Sequence, residues 1–313
     1  MTKIKKLADN NIKTGFWQNT CMDFKRNHQL YILAAPFLLL FAVFVVLPVV
    51  ISIILSFTYY NMLETPQWRG LDNYVQMFFG DDVFWIAVAN TLKFAVITGP
   101  AGYILSFVLA WFINELKPKT RAFVTFVFYA PALTGNVYFI WQYIFSGDRY
   151  GFINNFLLES GFILEPIQWL TNTEYMLTVV IIVQLWLSLG VSFLSFIAGF
   201  QSVDNSLYEA AAIDGIRNRW QELWYVTLPI MKPQLTFGAV MQISSSFSVA
   251  AISQALVGYP SKGYAAHTIV LHISDYGNIR YEMGYACAIS VFLFLMMILF
   301  KSLVNRALAT IAD

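Results

Sequence analysis

Six long apolar runs constrain this chain more than any other feature of its sequence. The first run, residues 30–57, reads LYILAAPFLLLFAVFVVLPVVISIILSF and contains no charged side chain. The other five cover residues 89–113, 122–145, 175–200, 234–257 and 283–300. A helix needs about 20 mainly apolar residues to cross the hydrocarbon core of a bilayer, and these runs are continuous rather than alternating. The sequence therefore predicts an all-α membrane protein with six transmembrane helices.

The composition excludes several other classes of protein. Of the 313 residues, 58% are hydrophobic and only 12% are charged, which is too apolar for a soluble domain. A net charge of +1 does not supply the basic face that binding to nucleic acid requires. Cys21 and Cys287 are too few and too far apart for a disulfide framework or a zinc site. We therefore expect neither a cofactor nor a metal ion.

The distribution of Lys and Arg predicts which loops face the cytoplasm. If the N-terminus is cytoplasmic, the inner segments carry 14 of the 19 Lys and Arg residues and the outer loops carry 4. Cytoplasmic loops of membrane proteins carry an excess of these residues, so both termini are expected inside. This arrangement predicts a cytoplasmic segment at residues 1–29, a six-span domain at residues 30–304 and a cytoplasmic tail at residues 305–313.

The loop between the fourth and fifth runs contains a charged stretch, SLYEAAAIDGIRNRWQELWYVTLPIMKP, at residues 206–233. Ser206 and Glu209 have the spacing of a capping box, and the three alanines that follow favour a helix. Gly215 is suited to end that helix because it tolerates the left-handed conformation. From Trp220 onward, apolar residues recur at helical spacing and predict a second amphipathic helix. These features alone also fit two helices that simply lie at a membrane surface.

The order of residues in this loop resembles the EAA loop of bacterial ABC-importer permeases. The matching residues are Glu209, Ala210, Ala211, Asp214, Gly215, Leu228 and Pro229. Other stretches resemble the carbohydrate branch of this family, in particular the first member of its usual permease pair. These are Trp85, Asn90-Thr91 and Phe94, Gly199-Phe200-Gln201, and Gly284-Tyr285-Ala286 with Ala288. One departure is Asp204, where the family usually has Pro, and Asp is a good helix cap.

This resemblance implies a type I ABC-importer permease fold in the bacterial cytoplasmic membrane. It also implies that residues 202–232, here named the EAA segment, dock on an ATP-hydrolysing subunit. The matching residues of the EAA segment would then couple this chain to that subunit. The expected partners are a second homologous permease subunit, an ABC ATPase dimer, an extracytoplasmic solute-binding protein, membrane lipid and a carbohydrate substrate.

Two other functions remain open at the level of the sequence. A secondary transporter would need intramembrane carboxylates for ion coupling, and the six runs contain no Asp or Glu. A membrane scaffold that transports nothing would also fit the composition. An enzyme has little support, because His28, His267 and His272 are scattered and form no metal or triad pattern. The chain also has no P-loop, so ATP would be hydrolysed by partner subunits.

Polar residues in the fourth and fifth runs are candidates for a solute path. Sugar recognition needs amides and hydroxyls that match sugar hydroxyls, together with aromatic faces. The stronger candidates are Gln184, Ser188, Ser244, Ser245 and Ser248, and the weaker ones are Asn136, Trp141 and Gln142 in the third run. Serines of membrane helices also commonly pack against a neighbour or bond their own backbone. The absence of charges beside these candidates favours a neutral sugar or oligosaccharide.

Overall fold

The computed structural model describes residues 28–134 and 137–312, and most of these residues are helical. Five segments are helical, long and apolar enough to cross a membrane. They are Gln29–Leu55, Asp82–Asn114, Thr173–Ser202, Lys232–Val257 and Met283–Arg306. A sixth span results if the bent pair Pro118–Leu133 and Tyr138–Ile144 is counted as one. The described residues therefore provide five to six candidate spans, each overlapping one predicted run.

The described residues divide into two compact units, one within residues 28–54 and the other within residues 55–312. The first helix, α1, consists of His28–Phe41 and Leu47–Leu55, joined by a π-helical turn at Ala42–Val46. The π turn ends two residues before Pro48, which has no backbone N–H and disturbs a regular α-helix.

Among its described residues, the second unit contains two short strands and fourteen further α-helices, thirteen of which are labelled here. The strands β1 (Thr58–Tyr59) and β2 (Gln67–Trp68) pair antiparallel, with Thr58 opposite Trp68. The helices are α2 (Asp72–Val75), α3 (Asp82–Asn114), α4 (Pro118–Leu133), α5 (Tyr138–Ile144), α6 (Phe152–Glu159), α7 (Thr173–Leu187), α8 (Val191–Ser202), α9 (Asn205–Ile213), α10 (Arg219–Glu222), α11 (Lys232–Phe247), α12 (Ala251–Val257), α13 (Ile269–Ser274) and α14 (Met283–Ala312). A π-helical turn at Leu223–Thr227 and a short helix at Leu228–Ile230 extend α10.

The fourth and fifth spans are each broken near their middle. In the fourth, α7 ends at Leu187 and α8 begins at Val191, because Gly190 has the non-helical backbone angles φ −110° and ψ −130°. In the fifth, the break lies between α11 and α12, where Ala250 has φ −134° and ψ −53°. Broken helices leave backbone groups unpaired, and membrane proteins tolerate them where they are buried in protein or line a cavity.

The core of the second unit is built around α3, which packs against α7, α8 and α11. Small residues allow these helices to approach closely, as is common in membrane proteins. A Cβ on Gly102 would collide with the amide of Gln242, and one on Gly238 would collide with the ring of Phe196. One buried apolar group, here named the Phe196 cluster, joins the end of α3 to α8 and to the EAA segment. Its members are Ala110, Ile113, Leu189, Phe193, Phe196, Ile197, Phe200, Val203, Leu223 and Met231.

Candidate functional sites

The first half of the EAA segment is a short helix, α9, with a defined cap at its start. The predicted capping box at Ser206 is wrong, because the cap is Asp204, whose carboxylate accepts a hydrogen bond of 3.0 Å from the Ser206 N–H. An ionised carboxylate is favoured at a helix N-terminus, so the helix begins at Asn205. The same hydrogen bond lowers the pKa of Asp204. The expectation that Asp204 replaces the family's proline as a helix cap is confirmed.

The end of α9 is a Schellman motif centred on Gly215. The Ile216 N–H donates to the Ala211 carbonyl at 3.0 Å, and the Gly215 N–H donates to the Ala212 carbonyl at 3.3 Å. Gly215 has a φ of +97°, a region that residues with a Cβ rarely occupy. The sequence prediction that Gly215 ends this helix is confirmed. The EAA segment thus begins with a helix that is hydrogen-bonded at both ends.

The second half of the segment folds back on α9. The Asn218 side chain caps α10 by accepting from the Gln221 N–H at 2.8 Å. The hydroxyls of Tyr208 and Thr227 are hydrogen-bonded at 2.9 Å and so join the two halves. Leu223 is buried in the Phe196 cluster and anchors the segment to the spans.

The residues predicted for coupling have different exposures in the structure. Ala211 is buried and Leu228 is partly buried, so these two hold the segment in place. Exposed positions are Glu209, Ala210, Asp214, Gly215 and Pro229. Ile213, on the same helix, is 87% exposed.

A cavity of about 630 Å³ opens between the EAA segment and the C-terminal end of α3. Its charged lining residues are Glu115, Arg121, Glu209, Arg219 and Glu222. The cavity therefore offers both signs of charge at the place where the EAA segment meets the spans.

The polar residues of the fourth and fifth spans partly come together. The Gln184 amide donates to the Ser245 hydroxyl at 3.2 Å, which joins α7 to α11. Gln184 is buried, whereas Ser244, Ser245 and Ser248 are exposed. The Ser244 hydroxyl also donates to the Val240 carbonyl of its own helix at 3.0 Å. Within the chain, these serines form a polar face in the middle of a span.

Ser188 occupies a different environment from the other candidates. It is buried, and its hydroxyl donates to the Leu185 carbonyl at 2.6 Å. A Cβ on Gly102 would lie 3.0 Å from this side chain, so the site is tightly packed. Ser188 therefore lies between helices rather than on the exposed serine face.

The weaker candidates in the third span lie beside the fourth and fifth spans. The rings of Trp141 and Trp186 are 5.3 Å apart between centroids, and the Gln142 amide donates to the Ala255 carbonyl of α12. Asn136 lies outside the described residues. Trp141 and Gln142 thus contact the two spans that carry the stronger candidates, and the sequence did not specify these contacts.

A buried polar chain, which the sequence did not predict, links α3 to the loop before the last span. The His272 ring lies 2.8 Å from the Asp81 carboxylate and 3.0 Å from the His267 ring. The hydroxyls of Tyr276 and Tyr285 donate to the same Asp81 oxygen at 3.2 and 2.8 Å. His267 and His272, two of the three histidines that were expected to be scattered, therefore lie in contact. The Asp81 carboxylate that joins them is 191 residues away from His272 in the sequence.

The pKa values of two members of this buried polar chain, His267 and Asp81, are both lowered. Burial, and then the neighbouring His272, lower the pKa of His267 to about 4. Burial alone would raise the pKa of Asp81, but hydrogen bonds from His272, Tyr285 and the Phe84 N–H outweigh it, so the pKa lies below its ordinary value. Among the described residues, no group of three or more His, Cys, Asp or Glu could hold a metal ion. The hydrogen bonds of this buried polar chain hold the start of α3 to the loop that carries α13.

Comparisons with known proteins identify the same family as the motif residues of the sequence. The model of the family described as "Binding-protein-dependent transport system inner membrane component" matches residues 102–310. The chain is 33% identical over 266 residues to the probable ABC transporter permease protein YesP of Bacillus subtilis (strain 168), covering 83% of this chain and 84% of that protein. It is 31% identical over 281 residues to the arabinooligosaccharides transport system permease protein AraP of the same organism, covering 89% and 88%.

A solved structure has a similar fold over almost the whole chain. It is the crystal structure of a bacterial ABC transporter involved in the import of the acidic polysaccharide alginate. One of its chains aligns with a TM-score of 0.72 and 25% sequence identity, covering 94% of this chain and 100% of that one. The helical architecture described above is therefore the type I ABC-importer permease fold.

Proposed function

Because the chain belongs to the family of binding-protein-dependent transport system inner membrane components, we propose that it is a permease subunit of an ATP-driven carbohydrate importer. The observation that carries this proposal is the geometry of the EAA segment. Its helix α9 is hydrogen-bonded at both ends and presents exposed acidic and apolar side chains beside a charged cavity. A short, stiff helix of this kind is suited to be held by a moving partner.

The membrane arrangement follows the distribution of charge. We infer six spans with both termini in the cytoplasm of a bacterium, the third span being formed by α4 and α5. In this arrangement the EAA segment faces the cytoplasm, and residues 30–304 form the permease domain between two cytoplasmic ends. The 14 to 4 ratio of Lys and Arg between inner and outer segments supports this orientation.

The energy for transport comes from partner subunits in this proposal. An ABC ATPase dimer binds the EAA segment and hydrolyses ATP, and a second, homologous permease completes the path. An extracytoplasmic solute-binding protein delivers the substrate. The residues in direct reach of the ATPase are the exposed members of the EAA segment, namely Glu209, Ala210, Asp214, Gly215 and Pro229.

The substrate proposed is a neutral oligosaccharide. The relative AraP is named for arabinooligosaccharides, whereas the solved transporter imports the acidic polysaccharide alginate. An acidic substrate would favour cationic groups along its path. The fourth and fifth runs, residues 175–200 and 234–257, contain neither cations nor anions. Amides and hydroxyls can match the donors and acceptors of neutral sugar hydroxyls.

The exposed serines Ser244, Ser245 and Ser248 mark this subunit's part of the solute path in our proposal. A polar face in mid-span is unfavourable against lipid and is expected to face protein or water. Gln184 bonds Ser245 at the edge of this face. Trp141 and Gln142 contact Trp186 and the Ala255 carbonyl of the fourth and fifth spans, and Ser188 is buried between helices.

A reconstituted complex tests this function directly. This chain would be purified with its partner permease and ATPase, placed in liposomes, and supplied with the solute-binding protein and radiolabelled oligosaccharides. We expect uptake of a neutral oligosaccharide that requires ATP hydrolysis and the binding protein. Uptake that persists without ATP and follows an ion gradient would contradict the proposal and favour a secondary transporter. A matched acidic oligosaccharide tests the assignment of the substrate class.

A further inference from the structure

The EAA segment makes an ionic contact with the C-terminal end of α3. One guanidinium nitrogen of Arg219 lies 3.3 Å from the Glu115 carboxylate, and another lies 2.8 Å from the Glu222 carboxylate. Glu222 belongs to the same short helix as Arg219, whereas Glu115 caps the end of α3. The planar, forked guanidinium of Arg suits a bridge between two carboxylates, which a Lys ammonium could not orient equally well.

An aromatic contact accompanies the ionic one. The rings of Trp220 and Trp111 are 5.9 Å apart between centroids, and Trp111 lies on the last turn of α3. Below this pair, Leu223 and Ile113 are both buried in the Phe196 cluster. The EAA segment therefore meets α3 through an apolar base with a charged pair at its rim.

The strength of the ion pair indicates what it can do. The side chains of Arg219 and Glu115 are 66% and 45% exposed, and such pairs contribute little to stability because water competes for both groups. The buried apolar contacts of Leu223 hold the segment in place without it. The pair instead restricts the orientation of α10 relative to α3, for which a weak directional contact is sufficient.

Helix α3 connects the contact between Arg219 and Glu115 to other helices of the second unit. This helix is 33 residues long and packs against α7, α8 and α11, so a displacement of its C-terminal end reaches the spans with the candidate path. Gln242 of α11 donates a hydrogen bond of 3.1 Å to the Thr98 carbonyl of α3. One turn further along, Ser246 of α11 packs against Gly99 of α3. A packed helix transmits such displacements because protein interiors deform little.

We propose that Arg219 and Glu115 form a positioning pair that passes movement of the EAA segment to α3, a second transmission route beside the direct chain connection to α11. This proposal rests on the proposed function, since it assigns the pair to coupling between ATP hydrolysis and transport. Arg219 is the residue that orients the segment, and Glu115 is its anchor on the span.

A double-mutant cycle in the reconstituted complex tests the pair. The variants are Arg219→Gln, Glu115→Gln and the combination of both, and the readout is sugar transported per ATP hydrolysed. We expect each single variant to lower this ratio by about two- to fivefold, the size that loss of an exposed ion pair allows. The combined variant should match the single variants, because all three lack the same contact.

A matched control separates the pair from general effects. Arg217→Gln removes an exposed cation two residues away, so it should match the wild type. If the wild-type complex transports with ATP but the single variants are normal, the pair has no role in coupling while the proposed function stands. Effects that multiply in the combined variant also contradict the proposal. Loss of assembled complex at an unchanged ratio would show a packing contact only.

Discussion

The backbone of Gly215 has a φ of +97°, and no heavy atom lies within 4 Å of the place that a Cβ would occupy. A substitution there is therefore opposed by backbone conformation rather than by a clash. Ser188 presents the opposite case, because its helical backbone is ordinary but its surroundings are tightly packed. These two residues show that a small side chain can be required for different physical reasons, and the reasons predict different experimental results.

The first prediction concerns the turn at Gly215. Gly215→Ala should cost about 1–2 kcal/mol in the conformation of the EAA segment, whereas Gly215→Asn should cost less because Asn enters the left-handed region more readily. We expect stimulation of ATPase activity by the loaded binding protein to fall in Gly215→Ala and to be better preserved in Gly215→Asn. Equal stimulation in both variants and the wild type would show that the turn is not needed for coupling.

The second prediction concerns the exposed serine face. Ser244→Phe adds bulk to an exposed position and should block sugar uptake while the complex still assembles. Ser244→Ala removes only a hydroxyl that bonds its own helix, so uptake should remain close to the wild-type level. Uptake into vesicles at matched protein levels is the measurement. Normal uptake by Ser244→Phe would place the solute elsewhere.

At the scale of elements, the buried polar chain is an anchor between the start of α3 and the loop that carries α13. The Asn90 amide strengthens it by donating to the carbonyls of Tyr264 and His267 at 3.0 and 3.1 Å. The Asp81 carboxylate also caps α3 by accepting from the Phe84 N–H at 3.0 Å. One ionised group thus caps a helix and holds a distant loop at the same time.

The third prediction is an acid-sensitive anchor. The folded-state pKa of His267, about 4, lies below the ordinary 6.5, so the unfolded chain binds more protons between these values. Stability from this group is fully present above pH 6.5 and falls as the pH drops toward 4, by an amount on the order of 1–3 kcal/mol. The lowered pKa of Asp81 acts in the same direction at lower pH. The apparent Tm of the purified complex should therefore fall over this range.

The variant His267→Gln provides the control for this effect. Gln keeps an N–H that can donate toward His272 but does not titrate in this range. The fall in Tm between pH 6.5 and 4 should therefore be smaller in this variant than in the wild type. An identical pH dependence in both proteins would show that His267 does not contribute.

At the scale of the whole molecule, the chain has two exposed surfaces that partner subunits contact in our proposal. The EAA segment presents exposed acidic and apolar groups, and the fifth span exposes serines at mid-height. No other described part of the chain covers these exposed groups. The family of the chain and the absence of a P-loop from its sequence both favour partners that supply the second half of the path and the energy.

The fourth prediction follows from these open surfaces. Affinity purification of this chain from its native membrane should retain a different six-span permease and an ABC ATPase dimer. Charge reversal in Glu209→Lys should weaken retention of the ATPase. Retention of the second permease should not change, because Glu209 is an exposed residue of the EAA segment and does not lie in a span. Isolation of a transport-competent homodimer without an ATPase would contradict this assembly.

Local features of the sequence were enough to identify much of this protein. The apolar runs predicted the positions of the spans, because burial in lipid requires a continuous stretch of apolar residues in any fold. The EAA segment was also predictable, since Gly215 and Asp204 act through hydrogen bonds to their own neighbours in the chain. The error at Ser206 has the same origin: two good capping residues stood two positions apart, and local rules did not rank them.

Only the tertiary structure decided the features that depend on distant residues. The breaks at Gly190 and Ala250, the burial of Ser188 against Gly102, the Arg219 contact with Glu115 and the meeting of Asp81 with His272 belong to this class. The two breaks are backbone conformations inside continuous apolar runs. The three contacts join groups that are distant in the sequence, and no local periodicity records such an approach. The sequence by itself therefore determined the positions of the candidate spans and of the EAA segment. Packing between helices decided which polar groups are buried together and which remain exposed to a partner or a solute.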